Sequence, residues 1–328
     1  AAMSFQRGGQ FVRTVGERYV SLYAVFIPAS VLVLFMDLWL LNSSSPLLLN
    51  DKFDPVLSAS AIARELFELL TFSGEYWSAS TLGQGVFSNQ AFWTMDYIMA
   101  YTVATAGLYL LRGWKRWLTV AGVAVVAGPT VVLLAPIWFA GVVVFELQRR
   151  RVLERVAGPR SLRAIGIALV VGAVLTWTLV ELRGWGAELY AWSKTLAPYE
   201  LRQYLGMAKR FLWQWAYILP LMALLFGARF VLTGSMSTRW RGRIARAAQY
   251  ALPLYAIHFT LIYLVHMWLP GYEPRADHWG PYVLGIVALT LSLAFGYVQL
   301  RWVAGPARRL RKRLFDQNGA ARDREAGA

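Results

Sequence analysis

Residues 161–180 read SLRAIGIALVVGAVLTWTLV, and this stretch decides the fold class. As an α-helix, its 20 residues are long enough to cross the roughly 30 Å hydrocarbon core of a bilayer. A surface helix of a soluble protein needs a polar face at helical spacing. Residues 165–179 offer only Thr176 and Thr178 for such a face. The stretch therefore predicts a membrane-spanning helix.

Other stretches repeat this pattern and predict an all-α, polytopic membrane helix bundle of about eight transmembrane helices plus interfacial amphipathic helices. The further predicted spans are Ser21 to Leu41, Ala91 to Leu111, two short arms between Trp117 and Leu147, Arg210 to Leu232, Ala248 to Trp268, and Tyr282 to Trp302. We expect a single membrane domain over residues 1–315. The polar end, 316–328, is expected to be a disordered cytoplasmic tail.

The distribution of charge predicts the orientation. The chain carries a formal net charge of +15, and its Arg and Lys residues collect in alternate gaps between the apolar stretches. Arg7, Arg13 and Arg18 precede the first span, whereas the loop 42–90 is mainly acidic. Basic loops stay in the cytoplasm, so both termini are expected inside, with the protein in the inner (cytoplasmic) membrane. Because these charges lie at span ends rather than along one helix face, no nucleic-acid partner is expected.

Two regions need a local interpretation. Between Trp117 and Leu147, Gly128-Pro129 divides two short apolar arms. A hairpin keeps the following basic cluster inside, whereas a single kinked helix would invert everything downstream; the charge distribution favours the hairpin. Val56 to Phe72 is interpreted as an interfacial amphipathic helix on the outer side. The aromatic-rich segment Glu181 to Lys209 is interpreted as an interfacial aromatic belt or an amphipathic helix on the outer leaflet.

Few residues within the spans could carry chemistry. The chain has no cysteine, and its three histidines are scattered, so no metal site is expected. Ionisable residues inside spans are functional candidates by default; these are Asp37, Asp96, Glu146, Arg229, His258 and His266. Asp37 and Glu146 can reach an interface and Arg229 can snorkel. His258, in mid-helix, serves either as a packing hydrogen-bond partner or as a general base.

Several segments together resemble acyltransferase family 3, the integral membrane acyltransferases that O-acetylate bacterial cell-surface glycans. Residues 92–101, FWTMDYIMAY, resemble the family's Trp-Ser-Leu-x-Tyr-Glu-x-x-Tyr segment. Residues 134–141, LAPIWFAG, resemble its Pro-Ile-Trp-Leu-Leu-Gly element. Residues 251–259, ALPLYAIHF, resemble its Ser-Tyr-x-Leu-Tyr-x-Ile-His-Phe element, and 297–300, YVQL, its terminal Tyr-x-x-x-Glu-x-Pro.

The resemblance implies transfer of an acyl group, in particular acetyl, from a cytoplasmic acyl-CoA such as acetyl-CoA to a hydroxyl of a cell-surface glycan or lipid-linked sugar. It implies no bound cofactor. His258 and Asp96 are the catalytic candidates. Residues 18–24, RYVSLYA, resemble the family's Arg-x-x-Arg-Leu-Tyr-Pro segment, and Arg18 matches its first Arg. Arg13, Arg149 and Arg150 are further donor-binding candidates. The cavity-lining candidates are Trp93, Tyr97, Tyr101 and Trp138.

The chain also departs from the family pattern. The family's first two helices, with its catalytic His, have no counterpart here. Ser21 and Ala24 stand where the family has Arg and Pro, and Ile98 and Gln299 stand where it has Glu. The chain is therefore expected to be a fragment of a working enzyme, a diverged member or a chain that has lost activity, and to transfer acyl groups poorly or not at all. The alternative function is a non-enzymatic lipid or glycan transporter, or a membrane scaffold.

Overall fold

A computed structural model describes residues 2–42, 59–74, 76, 92–195, 214–232, 237–267 and 280–315, and the regular elements in these ranges are all helical. They are α1 (Ala2–Asn42), α2 (Ala59–Thr71), α3 (Trp93–Leu110), α4 (Trp114–Arg149), α5 (Pro159–Leu182), α6 (Trp185–Thr195), α7 (Ile218–Leu232), α8 (Thr238–Met267), α9 (Gly280–Trp302) and α10 (Ala304–Phe315), with 3₁₀ turns at Leu153–Arg155 and Trp215–Tyr217. The all-α prediction is confirmed for this part of the chain.

Five of the described helical stretches are long and apolar enough to cross a membrane. They are Gly9–Trp39, Trp114–Arg155, Pro159–Leu182, Trp215–Leu232 and Gly285–Phe315. Helices α3 and α8 cover two further predicted spans but are not among these five. The membrane class therefore holds, and the count of eight spans stays a prediction.

The surface of α5 shows why a bilayer is required. Gly166 and Ala173 are its buried residues, whereas Val171, Val174 and Leu175 each expose about half of their surface. Contiguous apolar surface of this kind is rare on soluble monomers. Lipid is the environment in which such a surface is stable.

The described helices belong to two compact units. Unit 1 comprises Ala1–Glu75, Gly83–Val123 and Ala245–Ala328, and unit 2 comprises Tyr76–Leu82 and Ala124–Ile244. The single membrane domain over 1–315 stays a prediction. The predicted tail, 316–328, lies outside the described residues.

An apolar core holds α1, α2, α3 and α8 of unit 1 together. Its buried members are Leu22, Phe26, Ala29, Leu69, Phe72, Phe92, Met95, Met99 and Ala256. The rings of Phe26 and Phe92 meet edge to face at 5.5 Å, where α3 begins.

This core corrects the predicted position of α2. The segment Val56 to Phe72 does contain a helix, but Phe72 stacks on Tyr23 at 4.9 Å and also contacts Tyr19 at 5.5 Å. Tyr19 and Tyr23 lie in the middle part of the candidate span Gly9–Trp39, so α2 packs away from the predicted outer end of this helix. The interaction of aromatic rings determines this position, which charge counting does not see. Helix α1 is also far longer than the predicted span of 21–41.

Unit 2 contains a close antiparallel pair, α5 and α7. A Cβ built on Gly227 would lie 2.7 Å from the carbonyl oxygen of Gly166, so the two backbones are nearly in contact there. At the other end of the pair, Trp177 packs on Tyr217 with ring centroids 4.9 Å apart. Small residues that let backbones approach closely are typical of helix pairs in membranes.

Helix α4 covers the predicted hairpin. Its backbone leaves helical geometry at Gly128, where φ is 81° and ψ is −178°, and becomes helical again from Pro129. A positive φ of this size suits glycine, and proline is well placed in the first turn of a new helix. The break is therefore at the predicted residue, and the direction in which its two arms cross a membrane stays a prediction.

Two basic clusters are helical. Arg239, Arg241, Arg243 and Arg246 lie in the first turns of α8, and the cluster 308–313 lies in α10 rather than in a tail. Their proposed role in topology is unaffected, because charges at helix ends orient a span equally well.

Candidate functional site

Two of the segments that carry the family resemblance meet in unit 1. The hydroxyl groups of Thr94, on α3, and Tyr255, on α8, are hydrogen-bonded to each other. Ala256, the next residue, is fully buried in the core beside α3. The contact joins residues 161 positions apart in the chain, which the sequence alone does not reveal.

His258 is fixed by the same turn of α8. Its Nδ1 lies 2.8 Å from the carbonyl oxygen of Tyr255. A carbonyl only accepts hydrogen bonds, so Nδ1 carries the proton. In the neutral ring, Nε2 then has the lone pair, which is the arrangement a general base requires. The ring also contacts that of Tyr255, with centroids 5.4 Å apart.

Asp96 lies beside a carboxylate that was not predicted as a site residue. A Cβ built on Gly74 would be 3.3 Å from Glu68 Oε2 and 3.4 Å from Asp96 Oδ2, so both carboxylates face this glycine. Asp96 is almost fully buried, at 1% exposure. Glu68 forms a long ion pair with Arg64, at 3.8 Å.

The environment of Glu68 favours its protonated form. Burial raises the pKa of Glu68 above its ordinary value, and the positive charge of Arg64 partly opposes this effect. Glu68 comes from α2, which was interpreted only as an amphipathic helix, so its carboxylate was not expected near Asp96.

Thr94 and Asp96 project from different sides of α3. Thr94 faces α8, whereas Asp96 faces Gly74 and Glu68. Two positions apart on a helix correspond to a rotation of about 200°. The described contacts therefore connect His258 to Thr94 through Tyr255. The carboxylates of Asp96 and Glu68 both lie near Gly74. As a catalytic pair, His258 and Asp96 are only a prediction.

Three of the four predicted cavity-lining residues form an aromatic row on α3. Trp93 and Tyr97 meet edge to face at 5.4 Å, and Tyr97 and Tyr101 are 6.2 Å apart. Tyr97 and Tyr101 are buried, so the row packs as part of the core. Trp138 belongs to unit 2, and its predicted role in the same cavity stays a prediction.

The predicted donor-binding arginines have different surroundings. Arg13 pairs with Glu17 at 2.8 Å. Arg149 and Arg150 both bind Glu146 Oε2, at 3.0 and 3.3 Å. Arg18 is half-buried on α1. Arg13 and Arg18 belong to unit 1, and Arg149 and Arg150 to unit 2.

A small pocket in unit 1 is lined by Arg311, a residue of the basic run 308–313. Its volume is about 120 Å³, and its lining includes Ser21, Gln299 and Arg311. Ser21 is the position where the resembling family has a second Arg. A guanidinium group reaches this pocket from α10. The basic run 308–313 was the available signal, but only the packing of α10 shows that position 311 turns toward α1.

Gln299, beside this pocket, repairs a break in α1. Pro28 has no N–H, so the carbonyl of Ala24 lacks its helical partner. The side-chain Nε2 of Gln299 donates to this carbonyl at 3.1 Å and to that of Val25 at 2.6 Å. Gln299 is 3% exposed. An amide can donate both bonds, whereas a carboxylate can donate neither.

The other ionisable residues have structural partners. Arg229 forms an ion pair with Glu154 at 3.0 Å and donates to the carbonyl of Gln148 at the end of α4, so it holds helices together rather than snorkelling. Asp37 is buried within the protein, at 2% exposure, and its reach to a membrane interface stays a prediction. Glu146 binds its neighbouring arginines. The side chain of His266 lies outside the described residues.

No family model matches the chain, and neither a curated protein nor a solved structure matches it. Among the described residues, there is no group of three or more His, Cys, Asp or Glu that could hold a metal ion. Assignment to acyltransferase family 3 therefore stays a prediction.

Proposed function

We propose that this chain is an acyltransferase of the inner membrane, with both termini cytoplasmic. It would transfer an acetyl group from acetyl-CoA to a hydroxyl of a cell-surface glycan or lipid-linked sugar. The observation that carries the proposal is the contact between Thr94 and Tyr255, because it joins two of the segments that resemble the family and places His258 next to them.

In the proposed reaction, His258 acts as the general base. Its Nε2 accepts the proton of the acceptor hydroxyl while the hydroxyl oxygen attacks the thioester carbonyl. A C–O bond forms, the C–S bond breaks, and coenzyme A leaves as a thiol after receiving the proton from the imidazolium. The bond from Nδ1 to the carbonyl of Tyr255 holds the required tautomer, so Tyr255 is a positioning residue.

The donor would be held by arginines, since phosphates favour paired guanidinium groups. Arg18 and Arg311 are the candidates in unit 1, and Arg311 lines the pocket next to Ser21. Arg13, Arg149 and Arg150 already bind carboxylates. They would have to exchange these partners for a phosphate, which makes them weaker candidates.

Because turnover is expected to be slow, binding is the first test. Radiolabelled acetyl-CoA is equilibrated with the protein in nanodiscs, and R18Q and R311Q are compared with R163Q, which removes an equal charge from the start of α5. We expect saturable binding that each unit 1 variant weakens about tenfold, corresponding to one charged hydrogen bond. A parent chain that does not bind acetyl-CoA would overturn the proposal.

The second test measures release of coenzyme A with a thiol reagent, to which this cysteine-free chain adds no background. Loss of a general base commonly slows a reaction by about 10² to 10⁴, so H258Q should release coenzyme A correspondingly slowly. H278Q, in the loop between the last two predicted spans, is the matched control and should behave like the parent. Equal rates for parent and H258Q would return His258 to a packing role.

A further inference from the structure

Helix α10 presents an outward surface that the proposed reaction does not use. Arg309 and Arg313 are exposed, one helical turn apart. Leu310 and Leu314, also one turn apart, are 50% and 48% exposed. An exposed pair of leucines beside an exposed pair of arginines is the pattern of a helix that lies in a membrane interface.

The opposite side of α10 is fixed to the protein. Phe315 packs on α1 so closely that a Cβ built on Gly16 would be 2.6 Å from its ring. Arg311, one turn earlier, lines the pocket beside α1. Successive helix positions are about 100° apart, so the leucines lie next to this fixed side and Arg309 and Arg313 lie beyond them. The orientation of the outward surface is therefore set by the packing.

The chain preceding α10 indicates where this surface lies. Helix α9, part of a candidate span, ends at Trp302, which is 70% exposed. Exposed tryptophan at the end of a span is typical of the boundary between hydrocarbon and headgroups. Only Val303 separates Trp302 from α10. Helix α10 thus begins at the membrane boundary.

We propose that α10 binds the headgroups of anionic phospholipids. Leu310 and Leu314 insert at the boundary between acyl chains and headgroups, and Arg309 and Arg313 bind the lipid phosphates. The charge of this surface is complementary to the negative surface of a cytoplasmic leaflet, and the leucines favour a lipid over a soluble anion. This inference does not depend on acyl transfer.

A local probe tests the proposal directly. The chain has no cysteine, so L314C can be labelled with a single environment-sensitive fluorophore in phosphatidylcholine vesicles. Trace amounts of doxyl-labelled phosphatidylglycerol or doxyl-labelled phosphatidylcholine are then added, and quenching is compared. We expect the anionic lipid to bind about tenfold more strongly than the neutral lipid, since each arginine near the surface adds to the attraction.

Charge variants in the L314C background identify the residues responsible. In R309Q/R313Q, the two labelled lipids should quench the fluorophore equally. In R309K/R313K, the preference for the anionic lipid should remain, which shows that the helix is still folded. R160Q/R163Q removes two exposed charges from α5 and should also keep it. Soluble glycerol phosphate should not compete with the labelled lipid.

Several outcomes would overturn the proposal. Equal quenching by both lipids in the parent would exclude an anionic-lipid site. An unchanged preference in R309Q/R313Q, or an equal loss in R160Q/R163Q, would show that general charge causes the preference. Competition by glycerol phosphate would indicate a site for free phosphate, and a probe shielded from both lipids would indicate a protein partner.

Discussion

Replacing Gln299 by Glu tests the internal repair of α1. The two side chains have nearly the same shape, but the carboxylate has no proton to donate. In the structure the Gln299 amide donates to the carbonyl oxygens of Ala24 and Val25 at 3.1 and 2.6 Å. In Q299E, an ionised carboxylate would face two carbonyl oxygens at these distances, which is repulsive. The substituted side chain must therefore take up a proton or leave its site.

The magnitude follows from the protonated case. A neutral carboxylic acid can donate one of the two bonds, so one bond of about 1 kcal/mol is lost. Keeping a glutamic acid neutral costs about 1.36 kcal/mol for each pH unit above its ordinary pKa of about 4.3, or roughly 3.7 kcal/mol at pH 7. We expect Q299E to lower the free energy of unfolding by about 5 kcal/mol at pH 7. At pH 5 the loss should be about 2 kcal/mol.

The assay is reversible unfolding by dodecyl sulfate in mixed micelles, followed by tryptophan fluorescence at several pH values. Q299M is the matched control because it fills a similar volume and cannot ionise. It loses both hydrogen bonds, so we expect it to cost about 2 kcal/mol at every pH. A penalty for Q299E that does not change with pH, or one no larger than that of Q299M at pH 7, would refute the reasoning.

Three further results are expected. G227A should lower unfolding stability in the same assay by about 1 to 3 kcal/mol through overpacking against α5, whereas G172A, where a Cβ meets open space, should not; equal losses would contradict the close contact. Because burial raises the pKa of Glu68, its contribution to stability is present below about pH 4.5 and lost as pH rises through the raised pKa. E68Q should flatten that part of the stability curve, and an unchanged curve would count against burial of Glu68. S161C should react with an impermeant maleimide only after lysis and A191C in intact cells; the reverse pattern would invert α5.

The sequence predicted the helical membrane class because long apolar stretches leave no other stable fold in lipid. It also located the break at Gly128, since Gly followed by Pro is unfavourable inside a helix. The sequence did not predict which helices α2 contacts. Hydropathy and charge indicate whether a segment favours lipid or water, but they do not identify its neighbours. The stacking of Phe72 on Tyr23 decides that question.

The candidate site was predictable residue by residue but not as an arrangement. Thr94 and Tyr255 lay in segments that the resemblance had already marked, and only their contact links those segments. Glu68 was missed because a carboxylate on a predicted amphipathic helix is normally solvated. Arg311 was missed because a run of basic residues at a span end has a sufficient explanation in membrane topology.

Unit 1 can complete its packing only late in synthesis, because one of its parts is residues 245–328. Unit 1 is discontinuous in sequence, and residues 124–244 of unit 2 intervene between its parts. The carbonyl of Ala24 receives its hydrogen bond from a residue 275 positions later. While the ribosome synthesises the residues between them, α1 lies in the membrane and the carbonyl of Ala24 lacks this hydrogen bond. The side chain of Gln299, on α9, supplies the donor when it has been made. Truncation before Gln299 would therefore leave the carbonyl of Ala24 in α1 without this hydrogen bond.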